Sequence, residues 1–280
     1  MILDAYQFFR SQSFVSKRFG KPFRPSRKYA EIDVTYQCNL KCINCNRSCT
    51  QAPTKAEMPV TMVERFVQQS IDQQIAWARI RILGGEPTLH SRIFDIVDLL
   101  IAYRRVHNPS VRLVLGTNFY GHRVHRVLEK LPEAISIKST LKSSRVNFFR
   151  PFNVAPIDTA FNRYSDYACG CRIIEDCGLG VTPSGYYMCA VAGGIDRIFG
   201  YRLGRRDLPD ERERFSDQMT AFCRLCGHFG FQWPTRREKQ SETWRMAYQR
   251  LAAKESKSAS LCATAVTPTF KDPVYVYETT

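Results

Sequence analysis

No apolar run in the chain approaches the ~18 residues that a membrane-spanning helix needs, so no membrane span is expected. The first residues also lack the continuous apolar segment of an export signal. Phe8, Phe9 and Phe14 stand there among polar neighbours. No internal repeat is visible. Acidic residues are scarce: 26 Asp and Glu against 41 Lys and Arg leave a formal charge of +15. So basic a surface favours anionic partners, such as phosphorylated metabolites, nucleotide sugars, nucleic acid or acidic lipids, and says nothing about fold. The imbalance begins early. Residues 1–30 hold Arg10, Lys17, Arg18, Lys21, Arg24, Arg27 and Lys28 against Asp4 alone, a basic arm that is either solvated or engaged in binding.

Hydrophobic residues make up 44% of the 280, enough for a sizeable core. Cysteine is abundant, at eleven. Without an export signal, these thiols point to metal ligation before disulfides, and a reducing cytoplasm is the expected setting.

Residues 31–36 alternate as a strand should and run straight into a cysteine cluster. A helix is predicted over Thr61–Gln74, with Met62, Val63 and Phe66 on one face, then a strand over Ala78–Leu83 that stops at Gly84-Gly85. A second helix follows over Ile93–Tyr103, a strand over Val111–Leu115, a helix over His122–Lys130 and a strand over Ala134–Lys138. Strand alternating with helix implies βα units and a parallel sheet with its functional groups at the strands' C-terminal ends. The rhythm changes from about residue 142, where prolines interrupt it and cysteines return. Leu179–Ala190 is read as a hairpin around Thr182-Pro183-Ser184-Gly185, and Glu242–Lys254 as a helix.

The strongest chemical signal is the spacing Cys38-x3-Cys42-x2-Cys45. Three thiolates on one short loop can reach three irons of a cubane and leave the fourth iron open. Zinc with a remote fourth ligand is the alternative, but zinc favours paired C-x2-C knuckles.

Thr35-Tyr36-Gln37-Cys38-Asn39-Leu40-Lys41-Cys42 followed by Cys45 closely resembles the cluster loop of the radical S-adenosylmethionine (radical SAM) superfamily. Gly84-Gly85-Glu86-Pro87-Thr88, about 40 residues on, resembles its Gly-Gly-Glu motif. Gly116-Thr117-Asn118 resembles its Thr-Asn-Gly segment, although Phe119 and Tyr120 intervene before Gly121. The resemblance covers roughly residues 30–190. It implies a [4Fe–4S] cluster on Cys38, Cys42 and Cys45, chelated at its open iron by SAM. It further implies SAM contacts from Gly84, Gly85, Glu86 and Pro87, and from Thr117, Asn118 and Ser139. Many members carry an aromatic residue after the second cysteine, where this chain has Ile43; that touches only the packing on adenine. One-electron reduction would cleave SAM to a 5′-deoxyadenosyl radical able to abstract hydrogen from an unactivated carbon.

Cys169, Cys171, Cys177, Cys189, Cys223 and Cys226 form a second set. The favoured quartet, Cys171, Cys189, Cys223 and Cys226, resembles the auxiliary-cluster twitch domain of some radical SAM enzymes, among them the 2-deoxy-scyllo-inosamine dehydrogenases. It implies an auxiliary [4Fe–4S] cluster, with structural zinc as the alternative. Cys169 or Cys177 could replace Cys171. The longer SPASM arrangement is disfavoured because only Cys262 follows the final pair. Cys49, Cys262 and the unused thiols are ordinary buried cysteines or hydrogen-atom donors. Lys138, Lys142, Arg145, Asn147 and Arg150 are candidates to grip a substrate at the barrel mouth, or plain loop cations. His90 reads as a loop contact, His228 as lying beside a metal ligand or at the surface, and Tyr186 and Tyr187 as packing.

The expected architecture is α/β: a partial (βα)6 barrel followed by a small cysteine-rich domain. Its boundaries are a basic arm over 1–29, the barrel over 30–167, the auxiliary-cluster domain over 168–257 and a tail over 258–280. The expected enzyme dehydrogenates a small polar substrate, sugar-like or aminocyclitol and in some cases phosphorylated. Catalysis would draw on Lys138, Lys142 or Cys49, and a flavodoxin or ferredoxin would supply electrons. A radical epimerase with a cysteine donor, a peptide-modifying maturase and, remotely, a zinc or cluster nucleic-acid-binding protein are the competing readings.

Overall fold

The computed structural model describes residues 2–139, 148–149, 152–229, 235–236 and 239–264. Two short helices, α1 (Ile2–Arg10) and α2 (Ser13–Phe19), precede the first strand, β1 (Tyr29–Thr35). The chain then runs through α3 (Val60–Asp72), β2 (Arg79–Gly84), α4 (Ile93–Val106), β3 (Arg112–Thr117), α5 (His122–Leu128) and β4 (Ser136–Ser139). These elements follow the hydrophobic periodicity closely. Val63, Phe66 and Val67 recur at helical spacing on α3, and Ile96, Val97 and Leu100 on α4, and all six are buried.

The second half holds β5 (Phe148–Phe149), α6 (Ile173–Asp176), β6 (Leu179–Thr182), β7 (Gly185–Tyr187) and α7 (Ala190–Phe199). It ends with α8 (Ser216–Gln218), β8 (Thr235–Arg236) and α9 (Glu242–Thr264). Six strands form one sheet in the order β4-β3-β2-β1-β6-β7. Every neighbouring pair in it is parallel except β6–β7. The fold class is therefore α/β, as the alternation implied. The sixth strand enters as the return arm of a hairpin rather than through a sixth βα unit. The hairpin read at 179–190 joins this sheet at β1, and β5 and β8 pair separately.

Register divides the sheet into two chemically different faces, because side chains alternate along a strand. Ile32 lies beside Ile82, and Ile82 beside Leu115. With Val63, Phe66, Ile96 and Leu100 they build the core under α3 and α4. The opposite face carries Glu31 beside Arg81, Asp33 beside Leu83, and Gly116 beside Lys138. Helix α7 lies on this second face. A Cβ at Gly180 would come within 2.3 Å of the Ala190 nitrogen, and one at Gly193 within 2.5 Å of Thr182. Only glycine allows so close an approach of helix to strand.

Candidate active site

Three loops converge at the C-terminal ends of β1, β2 and β3. The Gly84-Gly85-Glu86 turn is fastened to the loop after β1: Gly85 N–H donates to Thr35 O and Glu86 N–H to Gln37 O, both at 2.7 Å. Side chains have no room there. A Cβ at Gly85 would lie 2.1 Å from Gln37 O, and one at Gly84, where φ is +143°, 2.2 Å from Thr35 O.

Glu86 is fully buried. Its carboxylate accepts from the Thr117 hydroxyl at 2.9 Å and from Asn118 N–H and the Thr88 hydroxyl, each at 2.8 Å. The acid thus ties the second loop to the third. Asn118 completes the knot by donating to Asn39 Oδ1 at 2.7 Å and, more weakly, to Cys38 Sγ at 3.8 Å.

Cys38, Cys42 and Cys45 line one cavity of about 300 Å³ together with Gly84, Gly85, Gly116, Thr117 and Asn118. Burial pushes the Cys38 thiol above its ordinary range, while the Leu40 N–H donated to its sulfur pulls the other way. Three half-buried thiols on one wall, facing a glycine cradle, fit a cluster with one open iron and a small polar ligand beside it. Pro87 is buried at the start of a 3-10 turn, and Ser139 closes β4 beside Thr117.

Charged residues form the same cavity's floor, and the sequence reading missed them. Glu31, Arg47 and Arg81 all line it. Arg47 donates to Asp33 at 3.1 Å and to Glu31 at 3.2 Å, and Arg81 donates to Glu31 at 2.5 Å. Strand alternation alone could place Glu31, Asp33 and Arg81 on one face. What it could not say is that this face looks into a cavity and not into solvent.

Cys171, Cys189, Cys223 and Cys226 line a second, smaller cavity. Burial and the neighbouring thiols push Cys189 and Cys223 well above the ordinary thiol range. Thiols so buried and so close ionise together only with a compensating cation, which is the donor chemistry of a metal centre. Among the described residues no three His, Cys, Asp or Glu side chains converge on a single-ion position. The competing cysteines sit elsewhere. Cys169 is buried beside Asp166 and Ser16, and Cys177 lines the first cavity. The two cavities share Ile173, Val191 and His228 as a common wall.

The remaining candidates are dispersed. Lys138 is exposed on the edge strand β4 and lies outside the cavity lining. Lys142, Arg145, Asn147, Arg150 and the side chain of Cys262 lie outside the described residues. Cys49 is buried behind the lining, and a hydrogen bond with Cys45, then burial, pushes its thiol up. His90 is a loop contact, its Nε2 2.9 Å from Met58 O. The Tyr186 hydroxyl donates to Gln69 and that of Tyr187 to Asp196, so both are packing residues.

No family model matches the chain. Curated relatives include the probable GTP 3′,8-cyclase of Pyrococcus abyssi, 33% identical over 117 residues, which span 42% of this chain and 33% of that one. The GTP 3′,8-cyclase of Helicobacter pylori strain J99 is 33% identical over 126 residues, covering 42% and 36%. The chain thus spans about a third of the length of these relatives. Among solved structures, BtrN in complex with AdoMet and 2-DOIA aligns over 74% of this chain and 89% of that one, at 14% identity and a TM-score of 0.40. Streptococcus suis SuiB bound to S-adenosylmethionine aligns over 44% and 27%, at 26% identity and a TM-score of 0.29. The cysteine loop, Gly-Gly-Glu turn and Thr-Asn pair on three neighbouring strand ends, together with these sequence relatives, support the radical SAM superfamily and imply SAM and a [4Fe–4S] cluster as cofactors.

Proposed function

We propose that the chain is a two-cluster radical SAM oxidoreductase that dehydrogenates a small polar substrate, sugar-like or aminocyclitol. The observation that carries this reading is the wall of Ile173, Val191 and His228 shared by the two cysteine-lined cavities. Cys38, Cys42 and Cys45 would hold the first cluster, and Cys171, Cys189, Cys223 and Cys226 an auxiliary one. The bound cofactors supply the 5′-deoxyadenosyl radical and a one-electron acceptor.

The chain's own residues prepare the site. The Gly84-Gly85 turn admits the ligand close to backbone, while Thr117 and Asn118, held by Glu86, present the end of β3 to it. The floor of Glu31, Arg47 and Arg81 offers both a carboxylate and guanidinium groups to a substrate rich in hydroxyls, amines or phosphate. Hydrogen abstraction from the substrate and loss of one electron and one proton from the resulting radical complete a two-electron oxidation. An electron donor such as a flavodoxin or ferredoxin supplies the electron that starts each turnover.

One observation favours a second reading. Cys177 lines the SAM-side cavity, separate from the auxiliary quartet, and burial followed by the nearby Glu31 carboxylate pushes its thiol up to about 11. A protonated thiol there could return a hydrogen atom to the substrate radical and be restored by one electron and one proton, which is epimerisation. Anaerobic turnover of an aminocyclitol and sugar panel in D2O separates the two. Dehydrogenation gives a product two mass units lighter, whereas epimerisation gives an isomer carrying one deuterium that is lost in Cys177→Ala. Absence of 5′-deoxyadenosine under all reducing conditions would sink both readings.

A further inference from the structure

Helix α2 is built inside out. Its inward face carries Val15 and Ser16, while Phe14, Lys17 and Arg18 share the outward face at i, i+3 and i+4. Phe14 is 68% exposed, as is Phe19, and Phe9 on α1 is 55% exposed. These rings form a continuous surface. Phe9 packs edge-on against Phe14, and Arg10 lies over Phe19. On the adjoining segment the exposed Phe161 stacks on Phe8, and Ser13 binds the backbone of the exposed Tyr164. Lys17 and Arg18 are exposed beside Phe14 on α2, and the exposed Arg163 lies over Tyr164. A single exposed aromatic needs no explanation, but a contiguous set interleaved with cations has the composition of a binding surface.

Its position indicates what binds. The Gln7 side chain donates to His228 O, and His228 belongs to the wall between the two cysteine cavities. Helix α1, which carries part of the patch, is thus joined by one hydrogen bond to a residue of the wall between the two cysteine cavities. We propose that it docks an acidic one-electron carrier protein, with the rings seating against an apolar rim and the cations steering acidic groups. This rests on the two-cluster reading above.

The test uses an acidic flavodoxin and the full chain with its clusters, compared with a Phe14→Ser/Lys17→Glu/Arg18→Glu variant. All three positions are exposed and lie outside both cavities. Calorimetry at low salt should show flavodoxin binding to the parent, weakening as salt rises, and at least tenfold weaker binding to the variant. Reduction of the clusters by flavodoxin should slow in parallel, while reduction by dithionite stays equal in the two proteins. Equal flavodoxin affinity in parent and variant overturns the proposal. So does a variant defect confined to anionic phospholipid vesicles, which would make the patch a membrane contact. Loss of dithionite-reducible iron from the parent would instead count against the two-cluster reading.

Discussion

Glu86 shows how little of a buried group's role is visible in a motif. The resemblance assigns its backbone to SAM, and the structure engages its carboxylate with Thr88, Thr117 and Asn118. It acts as the internal strut between the turn after β2 and the end of β3. Glu86→Gln removes the charge and turns donors toward donors. It should cost about 2 kcal/mol in anaerobic urea unfolding, near the value of hydrogen bonds to a buried charged group. Unchanged stability would mean that the loops do not depend on it. Other residues were beyond sequence reading for a different reason. Spacing cannot choose among Cys169, Cys171 and Cys177, since turns of either sense could bring any of them to Cys189. Only the packing around α6 separates Cys171, on one side of the shared wall, from Cys177 on the other.

Periodicity served well for α3 and α4, whose buried residues recur at helical spacing, but it gave no sign of α1 and α2 within the stretch read as a basic arm. It was silent on α7. Ala190-Val191-Ala192-Gly193-Gly194 reads as a poor helix by propensity, and tertiary contact decides the matter. The glycines let the helix settle on β6, and Arg197 donates to the carbonyls of Arg47, Ser48 and Ala52 behind the cysteine loop. Helix α7 thereby links the cysteine loop to Cys189 at its own N-terminus. Gly180→Ala sets a methyl group against backbone atoms of Cys189 and Ala190 that cannot swing aside. It should destabilise the protein by about 1–3 kcal/mol and accelerate amide hydrogen exchange across residues 190–199. Exchange identical to the parent's would show that the helix does not rest on the strand as described.

At the scale of the whole molecule, the chain holds two cysteine-lined cavities that share one wall, and it carries a strongly basic charge. The +15 charge was legible from composition, but its meaning was not, because composition does not say where the cations gather. Around α1 and α2 they gather beside exposed rings. The convergence of the three ordered motifs on one cavity was legible because each ends a predicted strand. The quartet Cys171, Cys189, Cys223 and Cys226 was favoured from its resemblance to a twitch domain, but its gathering around one cavity is visible only in the fold, since Cys189 and Cys223 lie 34 positions apart in sequence.

The most direct test of the two-cluster account is iron and sulfide analysis of the anaerobically reconstituted protein, beside two variants. One replaces Cys38, Cys42 and Cys45 with alanine, and the other replaces Cys171, Cys189, Cys223 and Cys226. The account predicts about eight irons in the parent and about four in each variant, with the quartet variant still cleaving SAM. About four irons in the parent, all lost with Cys38, Cys42 and Cys45 and none with the quartet, would contradict it and leave the proposed dehydrogenase without its electron acceptor.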